Sequence, residues 1–491
     1  MQGLAGLAAL GAAGCTSAID RRTQPDVSKG FTLPTGTSLS PAAHLLNRAA
    51  FGPRPGQVKQ IETLGAEAWI AQQLAYETLD DSACDLRLRR YDTLNLKAID
   101  LRSFGWDENY IAGELTAATV TRAVYSERQL FERMVEFWTD HFNIYAFKDN
   151  VIFLKSVDDR EVIRRHALGS FGDLLRASAH SPAMLRYLDN TLNMRGQPNE
   201  NYAREIMELH TLGVNGGYTE QDVKAVARCL TGWTMDGQNE FQFRADWHDT
   251  GEKIVLGHTI PAGGGQDDAE HVLDILIDHP ATARFVSTKL VRHFVADEPP
   301  SGSIDACVAT WRDTHGDLRA VMRTLLTHPG FASAPPKFKR PFDLAVSFMR
   351  AADVNYNGDP KIMNVLEKLG QRPFAWPRPD GYPDIALRWG GNLVDRWNFG
   401  IDALAARLPG VQFDLWALAK LGGADGDLTS LLGFFARLFF ATDLPPSDTT
   451  ALINFIHESL GDTPDLNRPE TRLHVLAGIA VMLVGPSFQW R

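Results

Sequence analysis

Between Asn199 and Gly232 the chain writes a helix signature twice in succession, and no other feature restricts its fold as strongly. Asn199 can cap a run from Glu200 to Leu212 that stops at Gly213. Asn215-Gly216-Gly217 then turns, and Thr219 opens a second run to about Leu230, closed by Gly232. An Asn or Thr side chain satisfies the free N–H groups of a first helical turn, and a glycine accepts the left-handed backbone that ends a helix. A chain punctuated in this way builds packed helices.

The same pattern recurs along most of the sequence. Ser40 caps and Pro41 opens a first helix, and Val58, Ile61, Leu64, then Ala68, Trp69 and Leu74 keep helical spacing. Ser126 precedes the stripe Leu130, Phe131, Met134, Val135, Phe137, Trp138, Phe142. Further amphipathic runs cover 160–178, 267–278, 280–296, 303–314, 317–327 and 341–353. One strand signal stands out: Phe241 to Ala245 alternates, Asp249-Thr250-Gly251 turns, and Ile254 to Leu256 returns, which predicts a single hairpin near 240–260. No βαβ alternation and no solenoid period appears. The expected fold is mainly α: a large multi-helical globular body with one short β-hairpin and long Pro-rich loops. The chief loop is Arg372 to Pro383, where four prolines within twelve residues forbid a helix. It reads either as a stiff wrap over the helices or as the wall of a site.

Three segments follow. Leu4 to Gly14 is apolar, small and uncharged, too short to span a bilayer, and ends in Ala12-Ala13-Gly14-Cys15. Residues 1–15 therefore read as a lipoprotein-like signal with Cys15 as the lipid-bearing residue, although Met1-Gln2-Gly3 lacks the usual basic start. Residues 16–39, rich in Ser, Thr, Gly and Pro, read as a flexible tether, and 40–491 as the helical body. The expected location is the exported cell envelope, periplasmic or membrane-anchored, with membrane contact only through Cys15. Lys plus Arg total 49 against 60 Asp plus Glu, a net charge of −11, which disfavours nucleic acid as a partner. Cys84, Cys229 and Cys307 show no CxxC spacing; one disulfide and a free thiol, or three buried thiols, both fit.

Catalytic signatures with a fixed spacing are missing: there is no GxSxG, GxxxxGK[ST], HExxH or CxxCH. Three polar clusters remain. In the first, Asn201, Glu205 and Glu208 fall on one helical face, with Arg204 placed to pair with Glu208 and His210 beyond. Two carboxylates on one face can raise a pKa for acid–base work or bind a hard cation. The second is Asp140-His141 within an aromatic helix, and the third is His248-Asp249 at the turn. Glu205, Glu208 and His141 are the candidate catalytic groups. Asp140, His141, Glu205, Glu208, His210, His248 and Asp249 are the candidate ligands for a divalent metal, and Trp138, Tyr218, Trp233 and Trp376 the candidate pocket walls. Each also has a structural reading: a helix salt bridge, a satisfied core histidine, a turn-forming aspartate.

Several of these stretches recur in a known family. Asn201 to Thr219, Val226 to Trp233, His44 to Gly52, Trp138 to Phe142, Lys289 to Phe294, Trp376 to Tyr382 and the ending Phe488 to Arg491 resemble the motifs of the bacterial domain-of-unknown-function 1800 family. The resemblance covers about residue 40 to the end. It implies an exported bacterial protein, often encoded beside an exported protein with a sulfatase-like fold, and it supplies no settled activity. Two functions stand open: a metal-dependent or redox enzyme of the cell envelope, or a non-catalytic scaffold that binds such a sulfatase-like partner.

Overall fold

The computed structural model describes residues 18–27, 31–461 and 465–491. Cys15 and the signal-like segment lie outside the described residues. The body is mainly helical, as its punctuation predicts. Seven helices matter for the site: α1 (Pro41–Ala49), α2 (Glu108–Tyr125), α3 (Gln129–His141), α4 (Glu200–Glu205), α5 (Glu220–Cys229), α6 (Pro280–Phe294) and α7 (Pro341–Ala351). Ser40 caps α1 through the Ala43 N–H at 3.2 Å. Thr219 and Asp222 cap α5 reciprocally.

The apolar stripes collapse into two cores. One joins α1, α3 and α5 to the helices up to Phe331, and the other joins α2 and α7 to the later chain. Strands are few and local. β1 (Trp233–Met235) pairs with β2 (Phe241–Phe243), β3 (Lys253–Val255) with β4 (His258–Ile260), and β5 (Asn355–Tyr356) with β6 (Val411–Gln412), all antiparallel. The expected pairing of 241–245 with 254–256 is therefore replaced by two tighter hairpins. Each closes over a short loop, which costs less chain entropy than the longer return.

Two helices depart from the expected continuous run. The run over 160–178 breaks after His166 and restarts at Phe171, capped by the Ser170 hydroxyl. The run over 200–212 widens after Glu205 into a π-helical turn, Ile206–Thr211, in which the Leu212 N–H reaches back to the Met207 carbonyl at 2.8 Å. Such turns insert a residue and rotate every side chain after them.

A segment of the 16–39 stretch is docked on the body. Asp20 is 3 % exposed and pairs with Arg87 at 3.3 Å and with Arg90. Arg87 is fully buried with its guanidinium carbon 3.8 Å from the centre of the Tyr125 ring, and a buried guanidinium needs a carboxylate. The three cysteines are free and buried. Among the described residues no helix is long and apolar enough to cross a membrane.

Candidate functional site

The seam between the two cores is polar. From α3, Arg133, Glu136 and Asp140 project towards the start of α7. Arg133 pairs with Glu136 at 2.7 Å and Asp343 at 2.5 Å, and Arg340, just ahead of Pro341, pairs with Glu136 and with Asp140 at 2.6 Å. From α6, His293 donates through Nδ1 to Asp384 at 2.7 Å, so its Nε2 is free to accept from Arg133 at 3.1 Å. Lys337 closes the set against Asp384 at 3.1 Å.

A strap covers this seam. The Pro-rich segment 372–384 has few N–H groups to offer, so it is held through its carbonyls. Asn143 donates to those of Trp376 (3.0 Å) and Arg378 (2.6 Å), Tyr187 to that of Pro377 (3.0 Å), and Trp389 to that of Pro383 (2.8 Å). Beneath it lies a cavity of about 140 Å³, lined among others by Asp140, His141, Lys289, Arg292, Asp380 and Tyr382. Wrap and wall are thus one structure.

The groups around this cavity have unequal partners. Asp140 is raised to about 6, by burial first and by Glu136 second, against the pull of Arg340. Lys289 is lowered to about 8 by burial, and among the described residues it has neither a hydrogen bond nor an ion pair; its ammonium stands 5.6 Å from the Phe285 ring. His141, 1 % exposed, donates through Nε2 to the His210 carbonyl at 3.0 Å, which leaves Nδ1 bare. Burial, then Lys289 and His210, holds it well below its ordinary value. His210 is fully buried with both ring nitrogens unpartnered, and burial followed by Lys289 brings it to about 3.

Only some of the expected site residues meet here. Asp140 and His141 line the cavity, and His210 lies behind His141 with ring centroids 6.3 Å apart. Glu205 stands beside the strap and is raised to about 7, by burial and then by Glu208 and Asp380. Glu208 accepts from Tyr218 at 2.9 Å. The expected Arg204–Glu208 pair does not form, because Arg204 forks onto Glu220 at 2.7 and 2.8 Å. Asn201 turns instead to Asp189 at 3.0 Å. His248 and Asp249 belong elsewhere: His248 is buried between Thr231 and Asp268, and Asp249 forks with Arg228. The seven expected metal ligands are therefore divided among separate places, and among the described residues no three His, Cys, Asp or Glu side chains are grouped to hold a metal ion. The donor set does not fit the expected metal centre.

The four aromatic walls are divided too. Trp376 donates to Asp380 at 2.9 Å within the strap, and Tyr218 holds Glu208. Trp138 is a core residue donating to the Ala167 carbonyl at 2.9 Å, and Trp233 is packed on His180 and Phe241. Lys289, Arg340, Asp380 and Asp384 also line the cavity, and spacing does not mark them. Lys289 and Asp380 do fall in the stretches that resemble the family motifs, the one available signal for them.

No curated protein and no solved structure matches this chain. One family model does, described as a protein of unknown function (DUF1800), and it matches residues 44–490. That span takes in α1 from His44 onwards, the carboxylates of α3, the π-helical turn, Lys289 and the strap, so the chain belongs to the DUF1800 family.

Proposed function

We propose that this protein is an exported cell-envelope enzyme that performs acid–base chemistry on a small polar group admitted beneath the strap. One observation carries the reading: Asp140 and Lys289 line the same cavity with their proton affinities drawn from opposite directions to about 6 and about 8. At neutral pH Asp140 is mainly a carboxylate that can take a proton, and Lys289 mainly an ammonium that can give one. Environments that tune neighbouring groups in this way distinguish base from acid. Arg340 and Tyr382 position Asp140 and the strap, and the 140 Å³ volume admits one terminal group rather than a whole polymer. Export rests on the apolar 4–14 segment and the lipid-acceptor sequence ending at Cys15.

A screen of the purified chain against chromogenic ester, amide and glycoside substrates tests this. Turnover should vanish in both Asp140→Asn and Lys289→Met while the fold persists. Turnover that survives both substitutions would refute the assignment.

A scaffold function, with a co-encoded exported sulfatase-like protein as partner, is favoured by one separate observation. Leu387, Val394, Trp397 and Ile401 are 87, 63, 44 and 47 % exposed in the helices that follow the strap. Clustered apolar exposure marks contact surfaces. Co-purification that is lost in Trp397→Glu tests it.

A further inference from the structure

The cavity is lined by three carboxylates, Asp140, Asp380 and Asp384, and by three cations, Lys289, Arg292 and Arg340, but these are not joined one to one. Every carboxylate there already has a cation or donor, with Arg340 shared with Glu136 and Lys337 with Asp297. Asp140 has Arg340 at 2.6 Å, Asp384 has Lys337 and His293, and Asp380 has Arg378 together with the Trp376 N–H at 2.9 Å. The two remaining cations, Lys289 and Arg292, have no described carboxylate within ion-pair distance, and Asp140 and Asp380 act on Lys289 only from farther off. Among the described residues Lys289 has no hydrogen bond or ion pair, and the only hydrogen bond of the Arg292 side chain is to the Asp297 carbonyl at 3.2 Å. They stand three residues apart on α6, so both project to one side of the helix. Two cations without a direct carboxylate partner, facing one confined volume from the same helix, are the components of an oxyanion subsite.

From this we infer that the cavity beneath the strap holds an oxyanion group of the substrate — a carboxylate, sulfate ester or phosphate ester — on Lys289 and Arg292. The inference rests on the acid–base reading for the word substrate, but binding itself does not depend on turnover. Arg292 has no role in the proton transfers proposed above, so it acts here in positioning.

The test is calorimetric titration of the full chain with sodium acetate, sulfate and phosphate at constant ionic strength and neutral pH. At least one should bind with a millimolar or tighter Kd. Acetate alone indicates a carboxylate substrate; sulfate or phosphate indicates an ester. Lys289→Met and Arg292→Met should each weaken binding at least tenfold with unchanged thermal unfolding. Asp140→Asn should bind as tightly as the parent or tighter, because it removes a negative charge, while abolishing turnover. That split separates the two ideas: anion binding without turnover leaves the subsite standing and sinks only the acid–base reading. No binding of any of the three anions, or binding indifferent to both α6 substitutions, overturns the subsite.

Discussion

Gly381 rests on the main chain of Asp140. Its φ is +73°, and a Cβ built there would overlap the Asp140 carbonyl oxygen and stand 2.8 Å from the carbonyl carbon. The strap thus touches α3 through its backbone, and only glycine permits both the conformation and the approach.

Gly381→Ala should lift the strap from α3. We expect a loss of about 2–4 kcal/mol, from the left-handed backbone and the overlap together. Water reaching Asp140 would also bring its pKa down from about 6 towards the ordinary carboxylate range. Urea denaturation measures the first effect and the pH dependence of turnover the second. A loss under about 0.5 kcal/mol would mean that the strap can shift without cost.

Arg340 bridges Glu136 and Asp140 with its side chain 2 % exposed. Arg340→Met leaves Asp140 without its cation while Glu136 keeps Arg133 at 2.7 Å, and breaking a buried pair costs about 3–5 kcal/mol. The penalty has a sign in pH. Without Arg340 the Asp140 pKa rises further, so the defect is greatest near pH 8 and shrinks towards pH 5 as a proton neutralises Asp140. Urea midpoints of parent and variant at the two pH values measure it; an equal gap at both would contradict the electrostatic account.

Much of this architecture is legible in the residues. The helix caps at Ser40 and Thr219 and the strap at 372–383 follow from local chemistry, because capping and proline stereochemistry act within a few residues. The site is less legible for three physical reasons. Asp140 and Lys289 meet only through tertiary packing, and no spacing rule joins positions so far apart. The π-helical turn at Ile206–Thr211 has no composition of its own, yet it shifts every side chain after Glu205, and His210 ends fully buried. Period-two alternation identifies Phe241–Phe243 as a strand but not its partner, which proves to be Trp233–Met235. Asp249 is a turn former rather than a ligand, since its carboxylate accepts the Gly251 N–H at 3.0 Å as well as Arg228.

The pH dependence of turnover follows from the site. Rate should rise as pH passes about 6, where Asp140 loses its proton, and fall as it passes about 8, where Lys289 loses its own. Asp140→Asn should remove the acidic limb together with roughly 10²–10⁴ of the rate. Lys289→Arg should lose turnover although the charge is kept, because a guanidinium does not give up its proton. A profile with limbs away from these two values would assign the chemistry to other groups, Glu205 first.

His210 makes the fold acid-labile. Its folded value is about 3 against an ordinary 6.5, through burial and then the Lys289 charge. The sign follows from proton counts. Above 6.5 neither state binds the proton, so stability is full; below it the unfolded chain takes up a proton that the native state refuses, and stability falls as pH drops towards 3. Each pH unit costs about 1.4 kcal/mol, so roughly 2 kcal/mol is lost by pH 5. His210→Phe should recover that amount at pH 5 and change little at pH 8. The ring makes no hydrogen bond to lose, and its neighbours are Phe142 at 5.0 Å and Tyr202 at 6.4 Å between centroids. Urea midpoints at the two pH values provide the check, and an equal response at both would show that His210 does not couple folding to protons.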